Sequence, residues 1–80
     1  MHRIPLASST LASVLYWPNR RALEVEFHSG KIYRYLEVPP QTYNELLVAP
    51  SKGRYFNIAI RNRFTSQQIN IIPSARATTI

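Results

Sequence analysis

One stretch of the chain constrains the fold more than any other, because it alternates apolar and charged residues and then turns back on itself. Residues 22–27 read Ala-Leu-Glu-Val-Glu-Phe, and this period of two is typical of a half-buried β-strand. A second run of strand-forming residues, 31–38, follows after His28-Ser29-Gly30. The two runs therefore predict an antiparallel hairpin with a short turn.

The type of turn decides which faces of this hairpin meet. A two-residue type I′ turn would place Ser29 at positive φ, whereas a type I turn followed by a left-handed Gly30 needs positive φ only at glycine. We therefore expect the second turn, with Phe27 opposite Lys31, Val25 opposite Tyr33, Leu23 opposite Tyr35 and Glu24 opposite Arg34. This register places both tyrosines on the apolar face and forms an ion pair on the other.

The flanking segments predict one more strand and two helices. Residues 12–17 are rich in β-branched and aromatic side chains, and Pro18-Asn19 ends that strand in a turn. Two prolines at 39–40 stop the third strand and open a helix that should end at Ala49, before Pro50. Ser51 can cap a second helix reaching residues 60–63, although Phe56, Ile58 and Ile60 also alternate as in a strand.

The expected fold class is α+β: a small antiparallel three-stranded meander of residues 12–17, 22–27 and 31–38, with two short helices packed on one face. Residues 1–7 are expected to be a flexible N-terminus. Residues 65–80 are expected to be a partly disordered extension, in which 69–72 could add a short strand. The domain itself is expected to cover residues 8–64.

The composition limits the functions open to this chain. It has 80 residues, ten Lys plus Arg, four Glu, no Asp and no Cys, which gives a net charge of +6. A chain this short builds one small core, and without cysteine it has neither a disulfide framework nor a thiolate nucleophile. No apolar run is long enough to cross a bilayer, so we expect no membrane association and a cytoplasmic location. The positive charge attracts phosphates, anionic surfaces and acidic proteins.

Few residues could carry catalysis. The two histidines lie near the terminus and at the hairpin turn, and no spacing suited to a metal is present. Glu24 and Glu26 share a strand face as a catalytic pair would, but Arg34 and Lys31 should keep both as ionised surface partners. We therefore predict a non-enzymatic protein with no catalytic residue, no metal and no cofactor.

Basic residues mixed with aromatic ones favour nucleic-acid binding. Arg54 and Arg61 would lie two turns apart on one side of the second helix, where they could contact successive phosphates. The predicted phosphate-binding set is Lys52, Arg54, Arg61 and Arg63, with Gly53 allowing an anion to approach the backbone. The alternative is a solvated helix face and a glycine needed for packing. Tyr33, Tyr35 and Tyr55 are either core residues or rings that stack on bases, and the hairpin register favours the core for the first two.

Several motifs occur in one order along the chain. They are Ser8-Ser9, Ser13-Val14-Leu15-Tyr16, Leu23 to Phe27, Ser29-Gly30, Tyr33-Arg34-Tyr35, Val38-Pro39 and Ser51-Lys52-Gly53-Arg54-Tyr55-Phe56-Asn57. From Ser8 to Phe64 the chain resembles the KTSC domain, a short module named from the C-terminus of some lysyl-tRNA synthetases. Pro50 departs from the usual pattern and sharpens the break between the helices. The resemblance implies RNA binding only through the association with these synthetases.

The sequence thus predicts a small basic module that binds RNA or another nucleic acid through phosphate contacts. The alternative is a protein-interaction module that docks on an acidic partner, through the same basic face or through residues 69–72 as an added edge strand.

Overall fold

A computed structural model describes residues 3–69 as an α+β domain with a five-stranded antiparallel sheet and two helices. The elements in chain order are β1 (Ile4–Pro5), β2 (Leu11–Trp17), β3 (Ala22–Phe27), β4 (Ile32–Tyr35), α1 (Pro40–Val48), α2 (Lys52–Ala59) and β5 (Ser66–Ile69). The strands are adjacent in the order β1-β2-β3-β4-β5. The α+β class and the two helices are confirmed, but the predicted three-stranded meander is wrong because β1 and β5 extend the sheet at its two edges.

The two additional strands lack the patterns that identify strands in a sequence. β1 has only two residues, and backbone pairing aligns Ile4 with Val14 on β2. β5 reads Ser-Gln-Gln-Ile and pairs with β4, where Ile69 lies opposite Ile32. This strand starts three residues before the short strand considered at 69–72, whose last three residues lie outside the described part of the chain. β1 and β5 therefore form because a neighbouring strand pairs with them, and not because their own residues favour a strand.

The central hairpin has the predicted register. Val25 pairs with Tyr33, and the pairs Leu23–Tyr35 and Glu24–Arg34 follow from it. Gly30 has a φ of 96°, and its N–H donates to the carbonyl of Phe27 at 2.9 Å. The left-handed position thus falls on glycine, as the turn requires. Regular pairing in β4 ends at Tyr35, earlier than predicted, and the chain then bends with Glu37 at a φ of 60°.

Both helices begin where the sequence predicts. Pro40 occupies the first turn of α1, and Ser51 Oγ accepts a hydrogen bond from the Arg54 N–H at 3.4 Å to cap α2. The helix over residues 52–59 excludes the strand alternative for this segment. α2 ends sooner than predicted, because the N–H groups of Ile60 and Arg61 both donate to the Phe56 carbonyl and close its last turn.

The two helices cover one face of the sheet and form the core with it. Phe56 on α2 contacts Phe27 and Tyr35 edge to face, with ring centroids 5.5 Å and 5.4 Å apart. On α1, Tyr43 stacks on Tyr16 at 4.5 Å. The core consists of buried residues from both layers, namely Leu11, Val14, Tyr16, Leu23, Val25, Tyr35, Val38, Leu46, Phe56 and Ile60. No helix packs on the opposite face within the described residues, and we call it the open face.

Candidate functional site

A cleft of about 610 Å³ opens between the β3–β4 hairpin and the C-terminal end of α2. We call it the Tyr33 cavity. The hairpin supplies half of its lining, α2 and the turn after it supply three more residues, and the rest come from the segment before β2 and from β5. The lining residues are Ser9, Thr10, Phe27, His28, Ser29, Lys31, Tyr33, Tyr35, Asn57, Arg61, Asn62 and Ser66. Four separate segments of the chain therefore meet here.

Aromatic packing fixes the inner wall of the cavity. The Tyr33 ring is half-buried and lies 5.9 Å from Phe27 at an interplanar angle of 82°. The ring centroid of Tyr35 lies 6.5 Å from that of Tyr33, and Tyr35 is itself buried in the core. The two tyrosines thus differ, since Tyr35 is a core residue and Tyr33 lies between the core and the cleft. Burial raises the pKa of the Tyr35 hydroxyl, and the positive charge of Arg61 opposes that shift.

The rim of the cavity is basic and rich in amides. Lys31 is exposed at the hairpin turn, and Arg61 is exposed just beyond α2. Arg61 Nη1 donates to Asn57 Oδ1 at 3.3 Å, which holds the guanidinium beside the helix. His28 Nε2 lies 2.8 Å from the carbonyl oxygen of Ser8 and ties the turn to the segment before β2. None of the described residues lining the cavity is acidic.

The four predicted phosphate-binding residues do not form one helical face. Because α2 ends at Ala59, Arg61 and Arg63 lie beyond the helix. Arg54 is exposed on α2, one turn before Asn57, and only Arg61 reaches the Tyr33 cavity. Arg63 instead lines a smaller cleft of about 360 Å³ with Leu36, Glu37, Phe64 and Thr65. Lys52 points back toward α1, since its Nζ donates to the Ala49 carbonyl at 3.1 Å.

Gly53, in the first turn of α2, lies next to the segment before β2. A Cβ at this position would lie 3.4 Å from Thr10 Oγ1 and 3.7 Å from Ser8 Oγ. Ser8 Oγ in turn accepts hydrogen bonds from the N–H groups of Thr10 and Leu11 at 3.1 Å each. The distances from the added Cβ are those of ordinary van der Waals contacts, so a small side chain would fit here and the packing does not by itself require glycine.

Tyr55 is a link between the two helices. Its hydroxyl donates to Glu45 Oε1 at 2.7 Å, and Gln41 Nε2 donates to the other carboxylate oxygen at 3.2 Å. Burial and the neighbouring carboxylate raise the pKa of Tyr55 to about 12, while the two hydrogen bonds lower the pKa of Glu45. The ring also packs against the core. Both the hydroxyl and the ring of Tyr55 are therefore engaged in contacts within the protein.

The open face contains a cluster of charged side chains. The sequence predicted one pair of this cluster, Glu24 and Arg34. Glu24 is 6% exposed, and its carboxylate contacts the guanidinium of Arg3 and, at 3.4 Å, that of Arg34. Arg34 also lies over the Trp17 ring, 5.3 Å from its centroid. The expectation that Glu24 is a surface residue is wrong, because these long side chains and β2 enclose it.

Two members of this cluster were missed, each for a physical reason. Arg3 precedes β1, which has no recognisable strand pattern. Trp17 reaches Arg34 diagonally across Ala22, which pairs with Trp17 and carries only a methyl group. A hairpin register for β2 and β3 would have placed this tryptophan beside the predicted ion pair.

Neither a metal site nor a spanning helix is seen among residues 3–69. No three His, Asp or Glu side chains come together there in a way that would hold an ion. The two helices, of nine and eight residues, are too short to cross a bilayer.

Comparisons with known proteins identify the domain. The model of the KTSC domain family matches residues 7–64. An uncharacterized protein of Stutzerimonas stutzeri is 53% identical over 57 residues, which cover 71% of this chain and 80% of that protein. A lysine–tRNA ligase of Nostoc punctiforme is 37% identical over 62 residues, and these cover 78% of this chain but only 11% of the ligase.

A solved structure agrees with these matches. The crystal structure of a KTSC domain protein from Yersinia pestis superimposes with a TM-score of 0.83 at 36% sequence identity. The alignment covers 86% of this chain and 97% of the other. Family model, relatives and fold all lead to one assignment, and the chain belongs to the KTSC domain family.

Proposed function

We propose that this domain is a non-enzymatic module that binds RNA through contacts between its exposed cations and the phosphate backbone. The observation that carries the proposal is the basic rim of the Tyr33 cavity, to which the hairpin contributes Lys31 and the turn after α2 contributes Arg61, with no acidic residue among the described lining residues. Phosphate contacts supply most of the sequence-independent affinity for nucleic acids.

The contact surface proposed here differs from a single helix face. Arg54 and Asn57 lie one turn apart on the same side of α2. Arg61 lies beyond the helix, and its hydrogen bond to Asn57 holds it beside that side of α2, at the cavity. Arg63 lines the smaller cleft and would make a separate phosphate contact there, and Lys31 adds a cation to the Tyr33 cavity from the hairpin. Lys52 is left out of the set because its amine is bonded to the Ala49 carbonyl.

The relatives support RNA as the class of nucleic acid. Three of the similar proteins are lysine–tRNA ligases of Nostoc and Trichormus strains, and in each the match covers 10–11% of the ligase. A domain of this kind inside an enzyme that acts on tRNA would raise the local concentration of its substrate through weak, sequence-independent contacts.

The test is a salt series of binding to a labelled single-stranded RNA, followed by fluorescence anisotropy. Each phosphate neutralised contributes about 0.7 to the slope of log affinity against log salt for a single strand. The double variant Arg54→Gln plus Arg61→Gln should therefore lower this slope by roughly 1.4. The matched control is Arg20→Gln plus Arg21→Gln, which removes the same charge at the β2–β3 turn and should change the slope much less.

Two results would contradict the proposed contact surface. Association that does not depend on salt, or equal effects of the two double variants, would refute the proposed surface. Binding to an acidic protein partner in place of RNA would favour the alternative function. That alternative draws on β5, whose three exposed polar residues lie at the edge of the sheet, where a partner strand can add.

A further inference from the structure

The size and shape of the Tyr33 cavity suit one small ligand better than an extended helix. Its volume of about 610 Å³ lies within the range of about 300 to 1,000 Å³ typical of sites for small molecules. The cleft is open on one side, so a group attached to a longer chain could enter while the chain stays outside. A duplex keeps its bases stacked and paired, and it cannot present a single base to such a cleft.

The inner wall offers a rigid aromatic surface. Tyr33 is packed against Phe27 and next to Tyr35, and both of these rings contact Phe56 in the core. The ring is therefore ordered before any ligand arrives, and little conformational entropy is lost when a second ring stacks on it. Unpaired bases bind aromatic side chains in this way with little dependence on sequence.

The rim of the cavity offers polar groups for the phosphate and for the polar edge of the base. Lys31 and Arg61 are cations suited to a phosphate, and no acidic side chain among the described lining residues competes with it. Asn57 and Asn62 bring amides that can donate to and accept from the edge of a base. The bond between Arg61 and Asn57 uses the Asn57 carbonyl oxygen and not its amide nitrogen.

We infer that the Tyr33 cavity holds one nucleotide with an unpaired base, with the base against Tyr33 and its phosphate between Lys31 and Arg61. The inference rests on the proposed function and narrows it, because a module with this cavity prefers single-stranded RNA to duplex RNA. The shared chemistry is a phosphate next to an aromatic base, and the nucleotide can come from an RNA strand or from a free mononucleotide.

The experiment compares three probes at one salt concentration: a single-stranded oligoribonucleotide, the duplex of the same sequence, and adenosine monophosphate. We expect the single strand to bind at least about tenfold more tightly than the duplex, in keeping with the contribution of one stacked base. Tyr33→Leu should remove this preference but leave the salt slope unchanged. Tyr33→Phe, which keeps the ring, should retain the preference.

The matched control is Trp17→Leu, which removes another half-buried aromatic ring beside an arginine, but on the open face. It should leave the preference for single strands intact. Circular dichroism of each variant tests whether its fold persists. If Tyr33→Leu does not fold, the comparison of single strand with duplex in the parent protein still decides the question, because equal binding of the two would refute the cavity assignment.

The results separate the two proposals. Salt-dependent binding that is equal for single strand and duplex, and insensitive to Tyr33, would overturn the cavity assignment and leave the phosphate contacts standing. Tyr33-dependent binding of adenosine monophosphate as tight as that of the oligonucleotide would support the cavity and identify a free nucleotide as its ligand. The absence of binding to all three probes would overturn both proposals.

Discussion

The two faces of the five-stranded sheet are buried by different means. On the helix-covered face, Phe56 and its aromatic neighbours pack against apolar strand residues, and the side chains there are excluded from water by a second layer. On the open face, Ile32 and Glu24 are each 6% exposed, although no helix lies over them in the described part of the chain. At Glu24, the side chains of Arg3 and Arg34 make the contacts that a second layer makes on the other face.

A small domain can thus bury residues on both sides of a single sheet in two ways. A helix layer covers one side by adding residues, whereas on the other side two arginines reach across to their neighbours. Their guanidinium groups bind Glu24, and that of Arg34 also lies over Trp17. The first arrangement depends on apolar packing and the second on charge pairing, so they should respond differently to substitution.

The largest effect is expected on the covered face. Phe56→Ala should lower the free energy of unfolding by about 3 to 5 kcal/mol, because the ring is 1% exposed and packs edge to face on Phe27 and Tyr35. Ile58→Ala on the same helix is the control, since Ile58 is 63% exposed and its truncation should cost less than about 0.5 kcal/mol. Urea denaturation measures both. Similar losses in the two variants would show that α2 does not anchor the core through Phe56.

An intermediate effect is expected on the open face. Glu24→Gln removes the charge that both arginines share, and we expect a loss of about 1 to 3 kcal/mol, since the hydrogen bonds of the arginines are then weakened. The loss stays below that of a fully buried pair because the side chains of Arg3 and Arg34 are 32% and 38% exposed and can be hydrated.

Glu37→Gln is the matched control for Glu24, because Glu37 is exposed and lies in the loop after β4. Its replacement should change the free energy of unfolding by less than about 0.5 kcal/mol. Equal effects of the two glutamate substitutions would contradict the view that charge pairing closes the open face.

The smallest effect concerns the link between the helices and appears only in alkali. The pKa of Tyr55 is about 12 in the folded protein against an ordinary value of 10.0. Below pH 10 both states keep the phenol proton and the stabilisation is complete. Between pH 10 and 12 the unfolded state loses this proton first, so stability falls as the pH rises.

Tyr55→Phe should therefore show a shallower loss of stability across this window, measured by urea denaturation at a series of pH values. Glu45→Gln keeps the tyrosine but removes the carboxylate charge, so the pKa of Tyr55 should move back toward its ordinary value. If Tyr55→Phe follows the same alkaline curve as the parent protein, the hydroxyl does not join the helices as described.

The hairpin could be predicted from the sequence because its determinants are local. Gly30 is the residue suited to the left-handed position, and that choice fixes the pairing of every residue along β3 and β4. The same holds for the cap at Ser51 and for Pro40 in the first turn of α1. In each case one residue suits the conformation or the hydrogen bonding of the backbone at its own position.

The site could not be predicted in the same way, because its determinants are distant in sequence. α2 ends at Ala59 because Ile60 is drawn into the core, and this end places Arg61 at the cavity and not on a continuing helix. β5, which contributes Ser66 to the same lining, is held by pairing with β4. Both positions follow from tertiary packing, which residue patterns do not encode.

The shortness of β1 has a consequence for how copies of this domain meet. Outer strands of sheets recruit strands from other molecules and so promote aggregation and fibre growth. Here one margin of the sheet is a two-residue strand that ends in Pro5, a residue with no N–H to offer an incoming chain. A domain with such an edge strand can be joined to larger proteins, or produced at high concentration, without strands of other chains adding to its sheet at β1.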